Sequence, residues 1–360
     1  MSRFFSHRLD RLVPYTPGEQ PRDMQYIKLN TNESPFPPSR GVLKALNEME
    51  ISKLNLYPDP VCKQLKQKLA SLYSVGEENV FVSNGSDDIL NFSFMAFCND
   101  AEHPVKFPAI SYGFYRVYAE LYGVCYEAIP LAEDFSILVE DYLGNNANVV
   151  IANPNAPTGL VLSHDEVERI VAANPDFVVI IDEAYVDFGA DSCVDLIDRY
   201  DNLLVVRTYS KSRSMAGARL GFAFGNAELI ADLEKIKFST NPYNINRLTL
   251  LAGEAAIDDD AYYMDNCKTI AATREWTQAK LAELGFTCTD SRANFIFAKH
   301  ASLGGKELYL ALKDQGILVR HFDSPSICDY NRITVGTKQE MEALIQTIAS
   351  IIDATNTTKE

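Results

Sequence analysis

Six short apolar runs punctuate the first two thirds of the chain: Val80–Val82, Val105–Phe107, Val149–Ala152, Val178–Ile181, Leu203–Val206 and Leu220–Phe224. Each is continuous rather than alternating, which is how strands buried on both faces read. Helical spacing fills the gaps between them. Asp87–Cys98 follows the first run, Ser163 and Glu166 fit a capping box opening a helix after the third, and Cys193–Tyr200 separates the fourth from the fifth. This rhythm predicts a mostly parallel sheet with right-handed crossovers. After about Asn241 the pattern changes to one long helical stretch, Asn246 to Leu284. Apolar runs at Phe295–Ala298, Ile317–Arg320 and Arg332–Val335 follow, with helices near Lys306–Gln315 and from Lys338 to about Ile352. These shorter, mixed elements predict a smaller α+β unit. Prolines crowd the segment Pro14–Pro38, so residues 1–40 read as an arm lying on another surface. The expected organisation is α/β: an arm (1–40), a large domain (41–241) and a small C-terminal domain (242–360).

Composition narrows the function classes. With 360 residues, 47% hydrophobic and 23% charged, the chain is of globular type and long enough to bury a core without disulfides or a structural metal. Its net charge of −16 and the absence of any run of four basic residues argue against nucleic acid as a partner. The apolar runs stop far short of the ~20 residues a membrane helix needs. Met1–Asp10 lacks the basic start, apolar stretch and cleavage site of a secretory signal. Seven scattered cysteines without a C-x-x-C pair point to reduced thiols and a cytoplasmic location. The five histidines have no metal-ligand spacing, and no G-x-G-x-x-G follows the first strand, so neither a metal nor a dinucleotide cofactor is expected.

In open parallel sheets, ligands sit beyond the carboxyl ends of the strands, so the residues that follow each run carry the chemistry. Val80–Val82 leads into Ser83-Asn84-Gly85-Ser86-Asp87, a small-residue turn opening a helix, which suits an anion as well as it suits an ordinary N-cap. The third run ends in Asn153-Pro154-Asn155-Ala156-Pro157-Thr158-Gly159, a turn that leaves the Asn155 amide to face the sheet edge or simply stays rigid. The fourth ends in Asp182-Glu183-Ala184-Tyr185, placing a carboxylate at the end of a buried strand. Such a charge requires a cationic partner, either a structural Arg or Lys or a cofactor. The fifth leads into Ser210-Lys211-Ser212-Arg213 and on to Arg219, where an amine nucleophile lies among hydroxyls and guanidinium groups that fit a phosphate.

Taken with Pro14-Tyr15-Thr16-Pro17-Gly18, Asn30-Thr31-Asn32-Glu33-Ser34-Pro35, Tyr57-Pro58-Asp59-Pro60 and Arg332-Ile333-Thr334-Val335-Gly336, these motifs run in one order along nearly the whole chain. The chain resembles the pyridoxal-phosphate aminotransferases of the aspartate-aminotransferase fold class (fold type I), and within them the histidinol-phosphate aminotransferases. The resemblance implies a seven-stranded sheet of mostly parallel strands. It also implies that Lys211 forms the aldimine with pyridoxal 5′-phosphate and acts as general acid and base. Asp182 would pair with the pyridine nitrogen, while Asn155 and Tyr185 would hydrogen-bond the ring oxygen and Tyr112 would stack on the ring. Ser86, Asp87, Ser210 and Arg219 would surround the phosphate, Asp87 through its backbone N–H with its carboxylate turned away, and Tyr57 would come from the partner subunit of a homodimer. Arg332 would clamp the substrate carboxylate, and Arg320, Tyr15 and Asn32 would complete the substrate site. Arg213 departs from the resemblance, standing where aromatic residues are frequent in the family, and is expected to strengthen an anion site.

The implied reaction joins histidine biosynthesis: histidinol phosphate and 2-oxoglutarate exchange an amino group with imidazole-acetol phosphate and glutamate. An aromatic aminotransferase or a threonine-phosphate decarboxylase of the same fold is the alternative. A non-catalytic relative would have no need of Lys211. Because the proposed ligands are anionic and the chain carries −16, attraction has to be local, through these few basic groups.

Overall fold

In the computed structural model, residues 4–10, 12–98, 102–144 and 146–357 are described. A strand β1 (Ile27–Lys28) precedes the large sheet, which comprises β2 (Val80–Ser83), β3 (Val105–Pro108), β4 (Tyr126–Ile129), β5 (Asn148–Ala152), β6 (Val179–Asp182), β7 (Leu203–Thr208) and β8 (Gly221–Gly225). Their spatial order is β2-β8-β7-β6-β5-β3-β4, parallel throughout except that β8 runs antiparallel to both neighbours. Strands β2, β5, β6, β7 and β8 are buried at every residue, as their unbroken apolar runs predict. Alternate side chains feed two cores. Val149, Ile151, Val179, Ile181 and Val205 pack on one face, and Val150, Ile180, Leu204 and Val206 on the other. At about 1.5–3 kcal/mol for each fully buried aliphatic side chain, these central strands form a rigid base for the loops at their ends.

The register gathers the functional loops at one edge. Ser83 of β2 and Thr208 of β7 both pair with Gly221 at the start of β8, and Asp182 lies beside Ala152 and Val206. The segments after β2, β5, β6 and β7 therefore emerge together. Gly221 makes the closest approach possible: a Cβ there would lie 2.5 Å from the Gly85 carbonyl carbon and the Ser86 nitrogen.

The small unit is an antiparallel sheet of β9 (Phe286–Cys288), β10 (Phe295–His300), β12 (Arg320–His321) and β13 (Asn331–Thr334) in the order β12-β13-β10-β9. The remaining strand, β11 (Ile317–Leu318), pairs in parallel with β1. Three helices, 260–283, 305–314 and 338–357, pack around a core that includes Leu29, Ile296, Leu312, Ile333 and Leu344.

Several expectations need correction. Residues 27–29 are not loose arm, because Leu29 lies in the small core and its backbone bonds Leu318 and Thr334. The helical stretch 246–284 is two helices, 247–258 and 260–283. The first packs Leu250, Ala252, Ala256 and Ile257 on the large core, so a boundary at 242 precedes a helix that belongs to the large unit. Cys193–Tyr200 forms only a short 3-10 turn, Val194–Asp198. The edge strand β4 was not foreseen because Tyr126 and Glu127 are exposed and no apolar run marks it. The capping box at Ser163 and Glu166 is present.

Candidate active site

Lys211 follows β7 in a tight loop. Its Nζ donates to the Thr31 carbonyl at 3.2 Å and lies 5.6 Å from the centre of the Tyr185 ring. Beside it, Asp182 ends β6, fully enclosed. Its Oδ2 accepts from the Tyr115 hydroxyl at 3.0 Å and its Oδ1 from the Ala184 N–H at 3.2 Å. Burial pushes the Asp182 carboxyl up to about 6, against the pull of those two donors. Among the described residues no Lys or Arg pairs with it. The structural cation, Arg207, goes instead to Asp187 and to the neighbouring Glu183 at 3.9 Å, which also accepts from the Cys193 N–H and the Ser192 hydroxyl.

Lys211, Asp182, Tyr185, Ser86, Asp87, Tyr112, Ser210 and Arg219 line one cavity of about 160 Å³. Ser86 begins the helix Ser86–Phe97, preceded by Gly85 at φ +86°. Arg219, itself at φ +55°, reaches Ser210 Oγ at 3.3 Å and Asp87 Oδ2 at 3.1 Å. The Asp87 carboxylate does not turn away as expected: its other oxygen accepts from the Tyr112 hydroxyl at 2.7 Å. Its ion pair with Arg219 orients the guanidinium.

Asn155 departs from its expected part. Its two amide hydrogens serve Ile110 O at 3.0 Å and Thr158 Oγ1 at 3.2 Å, while its oxygen accepts from Ser111, so it closes its own loop and lines neither cavity. Tyr57 lies outside as well, 79% exposed and stacked on Tyr243.

An adjoining cavity shares Tyr112, Tyr185 and Lys211 with the first and adds Tyr15, Asn32, Arg320 and Arg332. Arg332 is partly buried and has no carboxylate partner among the described residues: one Nη donates to the Asn30 carbonyl at 3.1 Å, while its Nε is unpartnered. Its guanidinium faces the Phe295 and Phe322 rings, and burial lowers its pKa. Arg320 donates to the carbonyls of Thr16 and Pro17, tying the arm to the small unit. Tyr15 stacks on Phe114 at 4.4 Å, and Asn32 donates to the Tyr185 hydroxyl at 3.0 Å. Arg213 does not strengthen an anion site. It is 2% exposed, pairs with Asp260 at 2.5 Å and lies over Tyr263, fastening the start of the helix 260–283. Tyr115 and Tyr118 were not singled out from the sequence, although they continue from Tyr112 at three-residue steps.

Residues 24–348 match the family model described as aminotransferase class I and II. The chain is 51% identical over 353 residues to histidinol-phosphate aminotransferase of Brachyspira hyodysenteriae, covering 98% of this chain and 99% of that protein. It belongs to the histidinol-phosphate aminotransferase family. Another member, from Clostridium beijerinckii, is 47% identical over 98% of both chains. The crystal structure of the Sinorhizobium meliloti family member in complex with pyridoxal-5′-phosphate superposes with a TM-score of 0.81, covering 91% of this chain and 92% of that one. At 24% identity that likeness establishes the shared fold. No helix among the described residues is long and apolar enough to cross a membrane.

Proposed function

We propose that this chain is a histidinol-phosphate transaminase of histidine biosynthesis, exchanging an amino group between histidinol phosphate and 2-oxoglutarate with pyridoxal 5′-phosphate held at Lys211. One observation carries the reading: an amine and a buried carboxylate that has no cationic partner among the described residues line a single cavity. An uncompensated Asp182 is costly in an empty protein and is explained by a cationic ring nitrogen.

Pyridoxal phosphate supplies an aldehyde and an electron-withdrawing ring. The side chains do the rest. Asp182 holds a proton at the ring nitrogen, and the Lys211 amine moves the proton at the substrate α-carbon. The N-terminus of the helix Ser86–Phe97, Ser210 and Arg219 take the cofactor phosphate, and Tyr112 covers the ring. The Tyr185 hydroxyl, which accepts from Asn32, keeps its own proton to donate to the ring oxygen. Arg332 takes the anionic end of each substrate, the glutamate carboxylate or the phosphate ester, with Arg320 and Tyr15 beside it.

A homodimer fits the surface. Leu43, Met49, Leu54, Leu56, Tyr57 and Val61 are all 47–79% exposed within twenty residues, apolar side chains that a second copy would cover. Tyr57 would then serve the partner's site. All seven cysteines are free, which suits a cytoplasmic location.

Parallel half-reactions with histidinol phosphate, phenylalanine and threonine phosphate test the substrate. Histidinol phosphate should lead by more than tenfold, about 1.4 kcal/mol of discrimination. Equal rates with phenylalanine would overturn the assignment. The visible absorption band should be lost in Lys211→Ala, and a colourless wild-type protein after incubation with the cofactor would sink the reaction class.

A further inference from the structure

One face of the helix Phe114–Tyr122, extended two residues back along the chain, carries three tyrosines at three-residue spacing, Tyr112, Tyr115 and Tyr118. Their hydroxyls end on two aspartates. Tyr112 donates to Asp87 Oδ1 at 2.7 Å, Tyr118 to the Asp87 carbonyl at 2.9 Å, and Tyr115 to Asp182 Oδ2 at 3.0 Å. Tyr115 is the most enclosed, with 0% exposure and its ring edge-on to Tyr112 at 5.8 Å. It thus touches both the carboxylate at one end of the cavity and the ring that covers it.

Asp182 needs this contact. The Ala184 N–H restrains one oxygen only, from two residues along the same turn, and leaves the carboxylate free to rotate about its other bonds. A donor from a separate helix removes that freedom. We propose that Tyr115 is a positioning residue whose hydroxyl locks the Asp182 carboxylate toward the cavity, ready for the cofactor's pyridinium.

The inference rests on the functional reading above and concerns how Asp182 is held. Two further observations agree with it. Burial holds the Tyr115 proton far more tightly than usual, so the hydroxyl remains a donor throughout the working pH range. A donor to a carboxylate also favours its charged form, opposing the effect of burial on Asp182.

The test uses apoprotein of the wild type, Tyr115→Phe, Asp182→Asn and the double variant. Each is titrated with pyridoxal phosphate and with its 1-deaza analogue, whose ring carries CH in place of nitrogen. Tyr115→Phe should weaken pyridoxal phosphate about tenfold while leaving the deaza compound within twofold. In the Asp182→Asn background it should cost pyridoxal phosphate nothing further. Equal losses with both compounds would make Tyr115 a packing residue, and no loss with either would remove any role for its hydroxyl. Either result overturns the inference and leaves the functional reading intact. A wild type that takes up neither compound would sink the functional reading and the inference with it.

Discussion

Replacing Asp182 by Asn should make the cofactor-free protein more stable while crippling cofactor binding. Burial raises the carboxyl from 3.8 to about 6, so the folded protein binds its proton more tightly than the unfolded chain does. This contribution to stability is fully present below about pH 4 and is lost as pH rises through 6. At about 1.4 kcal/mol per unit, the shift of roughly two units makes the ionised carboxylate cost about 3 kcal/mol at pH 7.5 and about 2 kcal/mol at pH 5. Asn carries no such cost, and its amide can still meet the Ala184 N–H and the Tyr115 hydroxyl. Urea denaturation of the two apoproteins at pH 5 and pH 7.5 should show Asp182→Asn ahead at both, by about 1 kcal/mol more at the higher pH. With saturating cofactor the order should reverse, because ligand binding then stabilises the wild type preferentially. A destabilised Asn variant, or a difference independent of pH, would show that Asp182 is already compensated within the protein.

Three further outcomes follow from named contacts. Arg332→Lys removes the planar fork whose Nε is unpartnered, so KM for glutamate should rise at least tenfold while cofactor affinity changes little; steady-state kinetics beside a cofactor titration separates the two. Gly221→Ala drives a Cβ to 2.5 Å from the backbone of Gly85 and Ser86, so it should cost about 2 kcal/mol or more of stability and weaken binding of the cofactor phosphate. Arg213→Ala strips Asp260 of its buried partner and leaves a cavity beside Tyr263, for a loss of about 2–3 kcal/mol by chemical denaturation. Its kcat, measured on the folded fraction, should stay within twofold, whereas a large fall would place Arg213 back in the site.

The strands with continuous apolar runs were legible because burial on both faces leaves no other pattern possible, and the polar motifs at their ends were legible because few residue types can end such strands. The edge strand β4 and the break at Asp259 were not, since neither disturbs local periodicity. Within the site, Lys211, Asp182, Ser86, Tyr112, Tyr185, Ser210 and Arg219 could be picked out by type and place, and they do line one cavity. The partners of each group were not visible. Arg213 and Arg219 look alike in sequence, yet one is sealed against Asp260 and the other spans Ser210 and Asp87.

By itself the sequence determined the strand rhythm and the placing of the Lys211 amine and the Asp182 carboxylate at strand ends, because these depend on residue type and local spacing. Only the tertiary structure decided which charges compensate one another. Arg207 answers Glu183 and Asp187, while Asp182 is left with two uncharged donors. That choice turns on distances between elements far apart in the chain, and in a low-dielectric interior a few ångströms decide whether a charge is structural or available for chemistry.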